Sequence, residues 1–488
     1  MKAILAVDQG TTNTKAVLLT GEGRVLAQAS RPMQVSYPKP GWAEQSAADI
    51  WSTVTEVIAD IVKAADDHAI AAVAISNQRE SIVLWDAATS RPVAPCVIWQ
   101  CRRSSDRCAA LRAGGHEADV VAKTGLGLDP LFPAAKLAWL LDNTPGAREA
   151  ARAGKLRAGT VDSWLVWNLT DGRRHATDHG NASRTQLFNL DARAWDQSLC
   201  ELFDVPRTIL PAIVSSDALF GTVAQGVTAL PKGTPVHAVM GDSHAAAFGH
   251  GISGPGSVKA TMGTGSSLMA VTGVRVASTH GLSSTIAWSR GHDVLYALEG
   301  NIAVSGQTAA FARTLLGLAD EGALSELAQT VAGSDGVSFV PALAGLGAPH
   351  WRDRARGMIS GMSLRTTPAH VARAALEAIA LQIVDVMRAM EADLGADLPF
   401  LFVDGGASRN DFLMQMLADF AERPVQRGSI AELSAFGAGK MAAQALGMWN
   451  APTDAGAGRF TPAMDAAERE EILAHWHDAL ERAMYEPG

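Results

Sequence analysis

Apolar residues near the start of the chain fall in short runs broken by glycine and threonine. Residues 3–7 (AILAV), 15–19 (KAVLL) and 24–29 (RVLAQA) are separated by DQGTTNT and by the Gly21-Glu22-Gly23 turn. This pattern predicts three strands joined by tight turns, a β-meander opening a domain. Over residues 49–65 the period lengthens: Trp51, Val54, Ile58, Ile61, Val62 and Ala65 share one helical stripe. A further strand is expected over residues 70–76, and the mixture of hairpins with a β-helix-β unit predicts an α/β fold.

The second half repeats this grammar. Residues 256–273 read as strand, Gly-Thr turn, strand, so Gly10-Thr11-Thr12 has a counterpart in Gly263-Thr264-Gly265. A second echo pairs residues 235–249 with 399–415, each a strand that ends in a small-residue and Asp turn and opens a helix. Two duplicated domains are expected, 1–249 and 250–488, divided between Gly249 and Gly256. The clearest helix runs from an N-cap at Thr367 through Pro368 to a stop at Gly395, with Val371, Ala375, Ile379, Ile383, Met387, Met390 and Leu394 on one face. Residues 452–458 read as a loop.

Composition narrows the function classes. A chain of 488 residues, 48% hydrophobic and 19% charged, has ample material for two large cores. Acidic residues outnumber basic ones, 50 to 41, with no block of like charge, which argues against a nucleic-acid or anionic-membrane partner. Cys96, Cys101, Cys108 and Cys200 lack CxxC spacing and a nearby His cluster, so reduced, partly buried thiols are expected. No stretch has the roughly 20 apolar residues of a membrane helix, and the first apolar run is too short for a signal peptide. Cytoplasmic residence is the resulting expectation.

Several turns carry residues suited to phosphate chemistry. A Gly turn with hydroxyl residues between strands can point N–H groups and hydroxyls at an anion; Gly10-Thr11-Thr12 and Gly263-Thr264-Gly265-Ser266 both qualify, although an ordinary hairpin has the same pattern. GxxxxGK[ST] does not occur, so this is no Walker-type loop. Asp8 closes the first strand, where a carboxylate either stabilises the turn or holds Mg²⁺. Asp242 follows the strand VHAVM; alone it reads as a helix N-cap, while phosphoryl transfer to an alcohol needs such a carboxylate beside the attacking hydroxyl. Arg79 and Glu80 read either as an exposed charge pair or as a hydroxyl-binding pair, and Trp99 with Arg102 and Arg103 is equally open. VDGGASRN, residues 403–410, offers glycines for the flat approach of a base or ribose. His244 and His350 lack partners at metal-ligand spacing.

Taken together these blocks resemble the FGGY carbohydrate kinases, most of all their glycerol kinase branch, along nearly the whole chain. The resemblance rests on DQGTTNTKAV at Asp8, YPKPGWAEQ at Tyr37, ISNQRES at Ile75, IWQCRR at Ile98, TGLGLDP at Thr124, GTVDSWLVW at Gly159, NASRTQLFN at Asn181, YALEG at Tyr296, GLGAPHW at Gly345 and VDGGASRNDFLMQ at Val403. LFPAAKLAWLLDN at Leu131 and residues 356–377 are similar to the two family signatures. The resemblance implies two ribonuclease-H-like domains of the actin and hexokinase type, closing on ATP, Mg²⁺ and a small polyol or sugar, with a homodimer as the family's common assembly. It makes Asp242 the general base and Asp8 the metal-side carboxylate. Thr11, Thr12 and Thr264 become phosphate contacts; Gly306, Gly406 and Asn410 line the adenosine side; Arg79, Glu80 and Trp99 hold the substrate.

Three positions depart from the glycerol kinase pattern: Leu131 stands for Tyr, Ser243 for Gln and Ser267 for Phe. Losing two aromatic walls opens volume, so a substrate larger than glycerol, a four- or five-carbon polyol or ketose, is expected. A glycerol kinase with a tolerant pocket, and a non-catalytic actin-like ATP sensor, are the alternatives. The glycine-rich, Arg-containing loop that binds a regulatory sugar bisphosphate in some members is missing before Pro231.

Overall fold

The computed structural model describes residues 2–430, 432–450 and 458–485. Of the loop expected at 452–458, residues 452–457 lie outside the described residues, while Gly458 opens a short strand, Gly458–Phe460. Among the described residues no helix is long and apolar enough to cross a membrane.

Two mixed sheets form the frame. In the first, Lys2–Gln9, Asn13–Thr20 and Val25–Pro32 make the expected meander, Ala69–Asn77 lies parallel to the first strand, and Pro235–Gly241 lies parallel beyond it. The second sheet repeats this order with Ser257–Met262, Ser266–Thr272, Asp293–Ile302, Phe400–Asp404 and Val425–Arg427. With core strands numbered along the chain, both sheets run three-two-one-four-five. The first echo, between the Gly-Thr turns of the two leading hairpins, is therefore real.

The second echo is mispaired. Phe400–Asp404 is the fourth strand of its sheet and corresponds to Ala69–Asn77, whereas Pro235–Gly241 is a fifth strand and corresponds to Val425–Arg427. Any parallel strand that turns through small residues into a helix looks alike in one dimension; only pairing separates the fourth from the fifth.

Alternation along the strands divides the core. On the first sheet Leu5, Val7, Leu18, Val73 and Ile75 face one way, onto the helix Ala47–Ala64 with its buried Ile50, Val54, Val57, Ile58 and Ile61. Ile4, Ala6, Val17, Leu19, Ala72 and Ala74 face the other way, into a cluster shared with Met269, Val271, Ala287 and Trp288 of the second sheet. Two helices fill that shared layer, Asp242–Gly249 and Leu433–Ala445, each following the fifth strand of its own sheet. They touch so closely that a Cβ on Gly437 would collide with the Ala245 backbone. The long helix occupies Pro368–Leu394, with a capping box at Thr367 and a left-handed Gly395 ending it as expected. All four cysteines are free and buried, more completely than expected.

Candidate active site

Asp8 and the Asp242 helix both leave the carboxyl ends of parallel strands. Strand Ala69–Asn77 lies between them, with Ser76 opposite Asp8 on one side and opposite Met240 on the other. Ligands of open α/β sheets collect at this end, where loops diverge and helix N-termini point outward. Asp242 is the first residue of its helix, and the N-cap is Gly241. The simple capping role is thus corrected: the Asp242 side chain makes no cap bond beyond its neighbour, the Ser243 N–H at 2.6 Å. Gly241 is required there, because a Cβ would lie 2.5 Å from Cδ of Arg79.

Asp242 Oδ1 also accepts from Nε of Arg79 at 3.2 Å, leaving Oδ2 without a protein partner among the described residues. The side chain is 40% exposed, opening into the cleft. Recess into the cleft floor, opposed by the Arg79 charge and reinforced by Glu80, pushes the carboxyl above the ordinary carboxylate range. Asp8 is raised to about 6, chiefly by burial; the Ser76 hydroxyl, donating at 2.7 Å, opposes the shift and the Asp242 charge adds to it.

Arg79 and Glu80 are buried, so the exposed-pair alternative does not hold. Arg79 donates Nη1 and Nη2 to the two Glu299 oxygens at 2.8 and 2.5 Å. A second buried guanidinium, Arg184, donates Nε to Glu80 Oε1 at 2.6 Å and sets Nη1 3.0 Å from Glu299. Burial would lower the Arg79 pKa, but Glu299 and Glu80 hold it above the ordinary arginine value; Glu299, although buried, is drawn well below the usual carboxylate range by Arg184 and Arg79. His244, held neutral by burial and by Arg79, lies 3.4 Å from Nη1 of Arg79. Glu80 takes a left-handed backbone, φ +57°, which costs a residue with a Cβ about 1–2 kcal/mol. Its carbonyl accepts from the buried Lys136 ammonium at 3.0 Å, as does the Leu131 carbonyl at 2.7 Å. Burial lowers Lys136 to about 8, with Glu80 opposing.

Ser243 and Ser267 meet at 3.3 Å between their hydroxyls. Ser267 donates to Glu299 at 3.1 Å, and the buried Lys259 donates to Ser243 at 2.9 Å. Burial lowers the Lys259 ammonium, while Asp404 and Asp242 oppose that shift. The floor beside Asp242 is therefore polar, built of two small hydroxyls backed by opposite charges.

The nucleotide-side candidates divide into groups. Thr11 spends its hydroxyl on protein partners: it accepts from Trp99 Nε1 at 2.9 Å and donates to Gln78 at 3.3 Å, so Trp99 braces this turn. Thr12 is exposed, with its hydroxyl 3.3 Å from the Asn13 amide. Thr264, also exposed, accepts at its carbonyl from the Ser305 and Gln307 N–H groups, and Gly306 donates to Gly263. A Cβ on Gly306 would collide with the Gly263 carbonyl. Gly406 caps the turn Ala407–Arg409 and is open, while Asn410 caps Asp411–Ala421 and bonds Ser325. Neither bonds to the Asp242 group; they reach Gly306 through Ala407. Among the described residues no three His, Cys, Asp or Glu side chains converge as a metal cage.

Four charged members escape the sequence reading, Glu299, Arg184, Lys136 and Lys259, while His244, set aside there for want of metal-ligand spacing, joins them beside Arg79. The four charges are set in otherwise apolar or small-residue stretches, a signal of burial with a paired purpose.

Comparison with known proteins identifies the family. The N-terminal domain of the FGGY family of carbohydrate kinases matches residues 3–249, and its C-terminal domain matches residues 258–446. The chain is 45% identical to a glycerol kinase of Burkholderia ambifaria, covering 98% of this chain and 97% of that one. Its structure is similar to the ADP complex of Plasmodium falciparum glycerol kinase, with TM-score 0.95 and 29% identity over 100% and 99% of the two chains. It is also similar to a xylulose kinase of Rhodospirillum rubrum, with TM-score 0.85 and 27% identity over 98% of each chain. With one sheet order in both halves and both domain models of the family matched, the chain belongs to the FGGY family of carbohydrate kinases, ATP-dependent enzymes acting on a small sugar or polyol.

Proposed function

We propose that this kinase transfers the γ-phosphate of ATP to a hydroxyl of a four- or five-carbon polyol or ketose in the cytoplasm. The observation that carries the substrate size is the paired Ser243 and Ser267 hydroxyls beside Asp242, where glycerol kinases carry Gln and Phe, together with Leu131 where they carry Tyr. A hydroxyl floor backed by Glu299 and Lys259 offers a further substrate hydroxyl donors and acceptors, whereas an aromatic wall offers only contact with C–H.

Asp242 acts as general base. Its free Oδ2 faces the cleft, and its raised pKa brings proton affinity closer to the working pH. Arg79, locked by Glu299, keeps Oδ1 occupied and the carboxylate oriented. Arg79, Glu80 and Trp99 bracket the alcohol and hold one hydroxyl in line with the phosphate. Thr12, Thr264 and the turn around Thr11 receive the phosphates, and Gly306, Gly406 and Asn410 receive the nucleoside side. The residues fit Mg²⁺ carried by ATP: the Asp8 carboxylate is raised to about 6 by burial, with the Asp242 charge adding to the shift, so a cation beside it would be stabilising. When bound, that ion neutralises charge on the phosphate oxygens, and Asp8 would hold it.

Glycerol itself is the second reading, favoured by 45% identity to the Burkholderia ambifaria glycerol kinase. Coupled ADP release across glycerol, tetritols, pentitols and ketopentoses decides between them. A kcat/KM at least tenfold higher for a C4–C5 compound is expected, and glycerol ranking first overturns the proposal.

A further inference from the structure

The Pro133–Asn143 helix is almost wholly buried, and Lys136 in its first turn is the one cation on it, with no exposure at all. A lysine in such a place demands a reason, because an apolar side chain of like volume avoids the cost of desolvating an ammonium. No carboxylate among the described residues reaches ion-pair distance: Glu80 acts on the ammonium only through its charge while its Oε1 is taken by Arg184, and Lys136 meets backbone carbonyls instead. Those carbonyls belong to Glu80 and Leu131, the two residues that the functional reading assigns to the turn and the wall of the alcohol pocket. Glu80 is 56 residues distant along the chain, and it sits in a left-handed conformation that needs external support.

We infer that Lys136 is a positioning residue for the alcohol: by donating to both carbonyls it ties the Leu131 wall to the Glu80 turn and sets the width of the pocket. A hydrophobic replacement keeps the helix packed but releases the tie. The short alcohol, which needs both walls close, then loses more than the long one. The inference rests on the pocket reading given above.

The test compares wild type with Lys136→Met, each confirmed folded by circular dichroism, on a ladder of glycerol, erythritol and a pentitol. Expected is a fall in kcat/KM of at least tenfold for glycerol and less than threefold for the pentitol, carried by KM, with the KM for ATP within twofold of wild type. Equal losses along the ladder, no loss, or an equal rise in the KM for ATP overturn it. Should Lys136→Met fail to fold, Lys136→Leu, which likewise removes both donations, is judged by the same criteria. Failure of both to fold assigns Lys136 to stability and also overturns it. A wild type inactive on the whole ladder sinks this inference, and one inactive on ketopentoses as well sinks the functional reading with it; an active wild type with an unchanged ladder in the variant sinks this inference alone.

Discussion

Arg79 Nη2 lies 2.5 Å from Oε1 of Glu299, a fully buried bond between residues 220 positions apart that joins the two sheets behind the candidate base. Arg184 approaches the other Glu299 oxygen, so one carboxylate bridges two guanidinium groups. Removing that carboxylate leaves two buried cations with only Asp242 and Glu80 to answer them. Glu299→Gln is therefore expected to cost about 3–5 kcal/mol of stability, read from denaturant midpoints, and to raise the KM for the alcohol more than that for ATP.

Asp242→Asn keeps the size of the side chain and the bond to the Ser243 N–H, and removes the proton acceptor. ADP release with the best alcohol should fall by about 10²–10⁴, while nucleotide affinity, measured by titration, stays within threefold. A variant that retains a tenth of wild-type turnover would leave Asp242 without the role proposed for it.

Acid should silence the enzyme early. With Asp8 raised to about 6 and Asp242 raised in the same direction, kcat/KM is expected to drop as pH falls through 6. Stability moves the other way. Folded Asp8 holds its proton more tightly than an unfolded Asp near 3.8, so its contribution is fully present below that value and is lost as pH rises to about 6. The difference in thermal midpoint between Asp8→Asn and wild type should thus grow in the variant's favour from pH 4 to 6. A constant difference contradicts the assignment.

Rebuilding the aromatic walls tests the pocket directly. Leu131→Tyr combined with Ser267→Phe is expected to raise glycerol kcat/KM by about tenfold or more and to lower that of the C5 substrates by a similar factor. A panel in which both change in the same direction counts against a size filter at these positions.

Gly306→Ala places a methyl group against the Gly263 carbonyl, in the turn that leads to Thr264. Overpacking of this kind costs about 1–3 kcal/mol. It should appear as a raised KM for ATP with the KM for the alcohol unchanged, because the strain falls on the nucleotide side.

Much of the frame was legible because it follows local rules. Period-two runs marked the meander, glycines marked the turns of both leading hairpins, and Thr367, Pro368 and Gly395 bounded the long helix within a residue. The correspondence of fourth and fifth strands was not legible, since it depends on which strand lies between, and sequence order carries no such information. Asp242 was legible as chemistry only through the blocks around it; the cap it imitates is supplied by Gly241. Lys136, Lys259 and Glu299 escaped notice for one reason. A single charge in an apolar run leaves the periodicity intact, and its partner is a backbone carbonyl or a residue far along the chain.

The helix Leu433–Ala445 closes the inner face of the sheet that begins at Lys2. During synthesis that face, with Ile4, Ala6, Val17 and Leu19, therefore waits for nearly the whole chain to leave the ribosome before it is covered. A fragment ending at residue 249 would carry an uncovered apolar layer into solution, so the two halves of this kinase, although built to one plan, mature together.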